Sequence, residues 1–375
     1  ASFDRGVCDQ CHGASASHSI GWQLANAGHG DPDSPAFGIA GPEEQQCVRC
    51  HTAAGFVSFL ADPKNSASWN NEAGVLGCAV CHDPHSDTNF KQLRVVGKPV
   101  QVPFAAKDVG LSASCETCHN GRQSGDDFAA GKTTSYPHYS SAAEMLTDLG
   151  GITYGATIPN SPHGTMVGNA PIPNPAYDAV KNPTVAKFLW SAAGDNKGNV
   201  PGPCVTCHMW AAVTSPITDT AAFKVGGHSF NTVSPDGTID YGAACKSCHG
   251  DVKDFNMKAK GDYDGNGKTE GVQDEIKGLL NVVWKALEAK GFKKMDTGYP
   301  YATLPTTVDA KAKNAWFNFR YVYGVMWGTD ADGKPSVGGE GKAAAVHNFK
   351  RSCALLQLSL KDLGALPAGA TDCTK

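Results

Sequence analysis

The segment that most constrains this chain is Cys78-Ala79-Val80-Cys81-His82, two cysteines separated by two residues and followed at once by a histidine. In one helical turn, positions i, i+3 and i+4 lie on the same face, so both thiols and the imidazole can reach one planar group. This C-x-x-C-H pattern is the attachment signature of c-type haem, in which the imidazole binds the iron. Pro84 disfavours continuation of the helix beyond the motif.

The pattern occurs six times, with the histidine in the same position each time. Zinc knuckles and redox-active cysteine pairs also use closely spaced cysteines, but neither requires a histidine directly after every second cysteine. The sequence therefore predicts six covalently attached haem c groups. The attachment cysteines and proximal iron ligands are Cys8, Cys11 and His12; Cys47, Cys50 and His51; Cys78, Cys81 and His82; Cys115, Cys118 and His119; Cys204, Cys207 and His208; and Cys245, Cys248 and His249.

The composition fits a chain that wraps large prosthetic groups. Of 375 residues, 43 are glycine and 22 are proline, and 18% are charged, so loops dominate without the composition of a disordered chain. Six porphyrins would supply much of the apolar interior. The predicted fold is mostly irregular, with short α-helices wrapped around a stacked array of six haems, little β-structure and a small helical C-terminal subdomain.

Three regions are predicted along the chain. Residues 1–125 carry four attachment motifs, residues 126–250 carry two motifs and a long proline-rich loop, and residues 251–375 form the helical subdomain. Periodicity and stop signals predict individual elements. Helices are predicted over 53–60, 141–149, 184–193, 272–290, 310–327 and 342–363, and short strands over 93–96 and 100–102.

Charge and hydropathy exclude some classes of partner. The formal net charge is −4, and haem propionates would make it more negative, which argues against nucleic acid. No apolar run approaches the roughly 20 residues of a membrane-spanning helix, and no signal peptide is recognised. Because c-type cytochromes are assembled outside the cytoplasm, we expect Ala1 to begin a processed, exported chain.

Two of the 14 cysteines lie outside the attachment motifs. In an oxidising compartment, Cys353 and Cys373 are expected to form a disulfide that pins the C-terminal tail. Two free thiols are the alternative.

The remaining histidines nearly match the number of irons. Six irons with two imidazoles each need six distal ligands, and seven histidines lie outside the motifs. Any one of them alone could be an ordinary surface or loop residue. Methionine is an alternative distal ligand that would raise the potential. The histidines are His18, His29, His85, His138, His163, His228 and His347; the methionines are Met145, Met166, Met209, Met257, Met295 and Met326.

Several short phrases resemble the large multihaem c-type cytochromes of metal-reducing bacteria. They are Trp22 with Ala27-Gly28-His29, Cys47-Val48-Arg49-Cys50-His51-Thr52-Ala53-Ala54-Gly55-Phe56, Cys81-His82-Asp83-Pro84-His85, Pro137-His138-Tyr139, Ser161-Pro162-His163-Gly164, Gly226-Gly227-His228-Ser229-Phe230 and Val346-His347-Asn348. Some members of that group lie on the cell surface, and some polymerise into extracellular conductive filaments. The resemblance implies that the distal ligands are His29, His85, His138, His163, His228 and His347.

His18 is then the spare histidine. It lies six residues after His12 in a stretch rich in serine, alanine and glycine. It is either a solvated residue of a flexible arm or, as the filament-forming relatives imply, a ligand to an iron in an adjacent subunit.

Residues 262–270 open like the calcium loop of an EF-hand. Oxygen-bearing side chains occupy positions 1, 3, 5 and 9, and glycine occupies position 6. Gln273 replaces the usual glutamate at position 12, but Asp274 and Glu275 follow, which leaves a shifted acidic ligand open. A solvated acidic turn is the alternative to calcium. The predicted calcium residues are Asp262, Asp264, Asn266, Lys268 and Glu270.

The predicted function is electron transfer, with no catalytic residues. An iron with two imidazoles has no open coordination site and can change oxidation state without binding a substrate. We expect an extracellular or cell-surface protein that forms a filament of identical subunits. It would exchange electrons with other redox proteins or extracellular acceptors. The alternatives are a multihaem reductase of the nitrite or hydroxylamine type with one open haem, or a monomeric periplasmic electron shuttle.

Overall fold

The computed structural model describes most of the chain. The described residues are 8, 20–33, 37, 44–84, 92–138, 141–166, 202–210, 224–234, 237, 242–294, 302–324, 327–329, 335–337 and 341–375. Some predicted features lie outside them, and they remain predictions: Cys11, His12, His18, His85 and the helix over 184–193.

The described residues are mainly short helices joined by irregular segments. The α-helices are α1 (Ile20–Ala25), α2 (Val48–His51), α3 (Ala53–Ala61), α4 (Cys78–Cys81), α5 (Ala113–Cys118), α6 (Gly125–Ala129), α7 (Ala142–Leu146), α8 (Pro203–His208), α9 (Lys246–His249), α10 (Val272–Glu288), α11 (Ala310–Tyr323) and α12 (Lys342–Leu363). Single 3₁₀ turns span Gly28–Gly30, Ser66–Ser68, Pro162–Thr165, Gly227–Ser229 and Gly242–Cys245.

The strands in the described residues form two small antiparallel pairs. β1 (Lys293–Lys294) pairs with β2 (Ala302–Thr303), and β3 (Trp327–Thr329) pairs with β4 (Pro335–Val337). The predicted mixture of short helices, irregular segments and little β-structure is therefore confirmed. The stacked haem array remains a prediction.

The strands predicted over 93–96 and 100–102 are wrong. Leu93 makes only an isolated bridge with His82, and Gly97 makes one with Gly110. Glycine and proline interrupt this segment, and both weaken regular strand pairing.

The chain divides into two compact units. Unit 1 comprises Ala1–Gln101, Ala106–Cys118 and Met166–Asp254, and unit 2 comprises Val102–Ala105, His119–Thr165 and Phe255–Lys375. Both units are discontinuous in the sequence, whereas each of the three predicted regions is continuous. The division into three regions remains a prediction.

A small aromatic and aliphatic core supports the first motifs of unit 1. α3 begins where the Thr52 hydroxyl accepts a hydrogen bond from the Gly55 N–H at 3.0 Å, an N-cap that fixes the helix start. Phe59 of α3 packs edge-on against Trp69, with ring centres 5.2 Å apart. The helix predicted over 53–60 is confirmed. The core consists of Val48, Ala53, Phe56, Phe59, Trp69, Val80, Val95, Val109 and Ala113.

Unit 2 is built on the three long C-terminal helices. α10 buries one apolar face against α12 and α11, and Trp316 stacks on Phe319 with ring centres 5.3 Å apart. α11 is capped at its start by Asp309, whose carboxylate accepts the Ala312 N–H at 2.7 Å, and is followed by Gly324 with φ +59°. Three predicted helices are confirmed, although α11 stops four residues before the predicted end.

α12 is broken at Asn348, where φ is −160° and ψ is 84°. The Asn348 Oδ1 accepts the Arg351 N–H at 3.0 Å, so this side chain caps the second half of the helix. Further along α12, Cys353 forms a disulfide with Cys373, with Cα atoms 5.6 Å apart. Gln357 donates to the Thr371 carbonyl at 2.8 Å, and the C-terminal tail is thus tied to α12.

None of the helices in the described residues has both the length and the apolar character needed to cross a membrane.

Candidate haem-binding residues

The C-x-x-C-H motifs in the described residues lie on single helical turns. α4 spans both cysteines of its motif and is followed by His82, whereas α8 contains both cysteines and His208. α5 ends at Cys118, directly before His119. A turn of helix brings the two thiols and the imidazole to one face, which is the arrangement that covalent haem attachment requires.

Thiols from different motifs lie side by side in unit 1. A hydrogen bond with Cys50, together with burial, raises the pKa of Cys118 well above its usual value, and the charge of Cys81 adds to this. A hydrogen bond with Cys115 similarly raises the pKa of Cys204. Attachment sites of different motifs are therefore neighbours in space.

The last two motifs are also adjacent. Burial raises the pKa of Cys207 to about 12, and the nearby Cys245, Cys204 and Cys248 contribute in that order. A thiol with so high a pKa remains protonated at neutral pH, so Cys207 is neutral as a free thiol.

Two histidines face each other at a distance that suits one iron. The ring centres of His82, from an attachment motif, and His228, from a predicted distal position, are 6.2 Å apart. Two imidazoles on opposite sides of one metal would have ring centres about 6 Å apart, because a metal–imidazole bond is about 2 Å long and a ring nitrogen lies about 1 Å from its ring centre. This pair fits bis-histidine ligation.

Burial keeps the His228 imidazole neutral. It lowers the pKa of His228 to about 4, with a smaller contribution from the charge of His82. A neutral imidazole retains the lone pair that binds a metal. His228 is therefore ready to act as a ligand at neutral pH.

α1 holds the turn that carries His228. The buried Gln23 side chain accepts the His228 backbone N–H at 2.9 Å. Gly227 has φ +52°, and a Cβ atom there would lie 2.4 Å from the Gln23 Oε1, so only glycine allows this close approach. Asn231 donates to the Asn26 carbonyl at 2.8 Å and closes the same turn.

His29 and His208 are a second pair of half-buried histidines in unit 1. Burial lowers the pKa of His29, and the charge of His208 lowers it further, so the two rings lie close enough to interact. The His208 Nδ1–H donates to the Phe230 carbonyl at 2.8 Å. Because a carbonyl can only accept, this bond puts the lone pair on Nε2, the arrangement seen in metal-bound histidines.

α7 anchors the histidines of unit 2. Its Ala143 N–H donates to the carbonyl of His119 at 3.0 Å. The Gly121 N–H donates to the Glu144 carboxylate at 2.7 Å, and the Gly121 carbonyl accepts the His138 N–H at 2.9 Å. The backbones at His119 and His138 are thus fixed to one short helix.

Two further predicted ligands lie at α12, which packs against α7. The His163 Nδ1–H donates to the Val346 carbonyl at 3.0 Å, which again leaves the lone pair on Nε2. Asn348, directly after His347, donates to the Met145 carbonyl at 3.0 Å. Unit 2 therefore gathers His119, His138, His163 and His347 around α7.

Exposure differs among the motif histidines in the described residues: His82 and His208 are half-buried, whereas His119 is exposed. His51 is half-buried and His249 is exposed. Met145, an alternative ligand, is buried and its sulfur contacts the Ser352 hydroxyl at 3.3 Å, as expected of a core residue.

The acidic loop brings three carboxylates together. Oxygens of Asp262, Asp264 and Glu275 all lie within 4.8 Å of one another. Glu275 accepts backbone N–H groups from Tyr263 and Glu270, both at 2.8 Å. The shifted acidic residue that the sequence left open is thus Glu275. Of the other predicted residues, Asn266 donates to Glu270 at 2.8 Å and Lys268 is exposed.

Sequence reasoning missed three residues that shape these sites. Gln23 and Asn348 act through hydrogen bonds to distant backbone, for which no local pattern exists. Glu144 had a signal, since it is the only charged residue in the segment Ala142–Leu146.

Cysteine pairs and histidines on single helical turns, repeated along the chain and accompanied by imidazoles whose pKa values are lowered by burial, are the pattern of multihaem c-type cytochromes. Over 350 residues the chain is 26% identical to the C-type polyheme cytochrome OmcB from each of two strains of Geobacter sulfurreducens. The matched region covers 86% of this chain and 39% of OmcB. The chain is 25% identical over 334 residues to OmcC of the same species, which covers 75% of this chain and 37% of that relative. It is thus a relative of the multihaem c-type cytochromes of metal-reducing bacteria.

The chain spans about two fifths of the length of the curated relatives that it matches. No family model matches the chain. No solved structure matches it significantly.

Proposed function

We propose that this chain passes electrons along six haem c groups, each held by imidazoles on both faces. The observation that carries the proposal is the half-buried pair His82 and His228, whose ring centres are 6.2 Å apart. When bound, haem c supplies an iron that gains or loses one electron. The two histidines would fill both axial positions and keep substrates away from the metal.

The cysteines support a continuous path in unit 1. Cys50 lies beside Cys118, and Cys115 lies beside Cys204, so the attachment points of different motifs are side by side. Electron transfer requires short distances between redox centres, and the protein contributes by fixing positions and excluding water. The thiol contacts favour an array of neighbouring haems over isolated ones.

The distal ligands proposed for the other irons follow from the same pattern. His29 beside His208 and the unit 2 histidines His138, His163 and His347 have the burial or backbone anchoring that ligands need. His85 remains a proposed ligand, and His18 remains a proposed ligand across a subunit interface. We propose that the chain forms a cell-surface or extracellular filament of identical subunits. The support is the resemblance of its short sequence segments to multihaem cytochromes, some of which form such filaments.

The haem content tests the proposal. We expect intact-protein mass and iron analysis to give six haems per chain, and the ferric protein to show only low-spin signals in electron paramagnetic resonance. Replacing Cys115 and Cys118 with alanine should reduce the count to five. A strong high-spin signal in the unmodified protein would instead favour a reductase with an open haem. Negative-stain microscopy separates the filament from a monomeric shuttle.

A calcium ion in the acidic loop is a separate proposal. The carboxylates of Asp262, Asp264 and Glu275 lie within 4.8 Å of one another, and oxygen ligands of this kind suit calcium. The bound ion would fix the loop against the C-terminal tail, because the Thr371 N–H donates to the Asp262 carbonyl at 2.6 Å.

Removing calcium should destabilise unit 2. At calcium concentrations 100 times the dissociation constant, binding adds about 2.7 kcal/mol to the free energy of unfolding. Denaturant titrations with calcium and with a chelator should reveal this difference. Glu275→Gln should abolish it, whereas Asp274→Asn, next to Glu275 but outside the three-carboxylate cluster, should retain most of it. Equal stability with and without calcium would reject the site.

A further inference from the structure

Glu144 is a buried carboxyl group in the middle of unit 2. Its side chain is 1% exposed. One oxygen, Oε1, accepts the Gly121 N–H at 2.7 Å, and the other, Oε2, has no hydrogen-bond partner among the described residues. A buried ionised carboxylate with an unsatisfied oxygen is costly, whereas the protonated form carries no net charge. This position therefore favours a carboxyl group that can take up a proton.

The groups packed around Glu144 offer little compensating charge. Gly150, with φ +68°, lies between Glu144 and Tyr321, because a Cβ atom there would be 2.8 Å from the Glu144 Cβ and 2.7 Å from the Tyr321 hydroxyl. Tyr321 donates its hydroxyl to the Leu149 carbonyl at 2.8 Å. The guanidinium of Arg351 on α12 donates to the Gly150 carbonyl.

Two more ionisable groups lie nearby, and both have partners. Asp148 accepts the Ser161 N–H and the Asn348 amide, at 2.8 and 2.7 Å. His138, a proposed ligand, donates its backbone N–H to the Gly121 carbonyl at 2.9 Å. Glu144 is thus the carboxyl group at this location whose hydrogen bonding is incomplete.

Glu144 is also fixed close to a haem attachment motif. Gly121, which donates to its carboxylate, is two residues after His119, and the adjacent Ala143 donates to the His119 carbonyl at 3.0 Å. A change in charge on an iron held by His119 would therefore be felt at this carboxyl group.

We propose that Glu144 couples electron transfer at His119 to proton transfer, an inference that rests on the proposed haem function. When the iron held by His119 accepts one electron from a neighbouring haem, the Glu144 carboxylate takes one proton from solvent and becomes a carboxylic acid. On reoxidation the electron leaves to the next redox centre and the proton returns to solvent. Where Glu144 begins as a carboxylate, the added proton offsets the charge of the added electron; where it begins as the acid, no proton is taken up.

The expected size of the coupling follows from electrostatics. Burial raises the pKa of Glu144 to about 7, against the effect of its backbone hydrogen bonds. One unit of charge within about 10 Å, at an effective dielectric constant of about 20, changes proton affinity on the order of tenfold. At pH 7, Glu144 should therefore change from about half protonated to about nine-tenths protonated on reduction, an uptake of about 0.4 proton.

The experiment measures proton uptake on full reduction of the haem-loaded chain at pH 7, with a pH-indicator dye in weakly buffered solution. We expect Glu144→Gln, which mimics the neutral acid, to take up about 0.4 proton less than the unmodified protein. Glu288→Gln, the same change at an exposed position in unit 2, should leave the uptake unchanged. Equal uptake in the unmodified protein and Glu144→Gln, with six haems in both, overturns the inference but leaves the proposed function intact.

A second readout needs no variant. In the redox-induced infrared difference spectrum of protein labelled with ¹³C-glutamate, reduction should produce a protonated carboxyl band at the expense of a carboxylate band. Absence of that exchange overturns the inference even if Glu144→Gln fails to fold. Absence of covalent haem at Cys115 and Cys118 is a different result, because it removes the proposed function itself.

Discussion

Replacing His228 with alanine should convert one low-spin iron into a five-coordinate, high-spin centre without changing the covalent haem content. The reason is that attachment depends on Cys78 and Cys81, whereas the iron's second imidazole would come from His228, 6.2 Å from His82 between ring centres. Electron paramagnetic resonance should show a new high-spin signal equal to one haem per chain. The reduced variant should also bind one equivalent of carbon monoxide, which the unmodified protein should not.

Two matched variants separate ligation from simple disruption of the fold. His228→Met should restore a low-spin iron with a higher potential, since methionine ligation raises haem potentials. Gln23→Ala removes the acceptor of the His228 N–H but keeps the imidazole, so it should give a mixed population of ligated and unligated iron. A fully low-spin His228→Ala protein would contradict this pairing.

The second large effect concerns the disulfide between Cys353 and Cys373. The cross-link has a sequence separation of 20, and closing a loop of that length stabilises a folded chain by about 3 kcal/mol. Both cysteines are buried, so alanine fits with little loss of packing. The double variant Cys353→Ala/Cys373→Ala should therefore lose about 3 kcal/mol of unfolding free energy in denaturant titrations.

A reducing agent that cleaves the disulfide provides the control for that measurement. It should lower the stability of the unmodified protein to that of the double variant and leave the double variant unchanged. Equal stability of the unmodified protein and the double variant, before any reduction, would show that the cross-link contributes nothing.

Much of the fold could be predicted from the sequence because its signals are local. The helix predicted over 342–363 has the same bounds as α12, which Gly364 ends with φ +69°, although the break at Asn348 was not predicted. The attachment motifs are equally local, because five consecutive residues contain all their chemistry. The strands predicted over 93–96 and 100–102 failed because short apolar runs do not reveal whether a partner strand exists.

The contacts between distant parts of the chain could not be predicted. Counting histidines supplied a set of ligands, but only the folded chain brings His228 to His82, 146 positions away in the sequence, and His163 to Val346. Likewise, Glu275 joins Asp262 and Asp264 through the start of α10, two positions later than the usual loop allows. These pairings depend on tertiary packing, which a single sequence does not encode in any short pattern.

The break at Asn348 divides α12 into two parts with different anchors. The part before the break contains His347 and is tied through Asn348 and the Val346 carbonyl to α7 and His163. The part after the break is locked by the disulfide at Cys353 and by Gln357. If the His347 imidazole shifts when it loses or regains a metal, the backbone at Asn348 can change conformation. The part of α12 after the break then keeps its position, because the disulfide and Gln357 hold it.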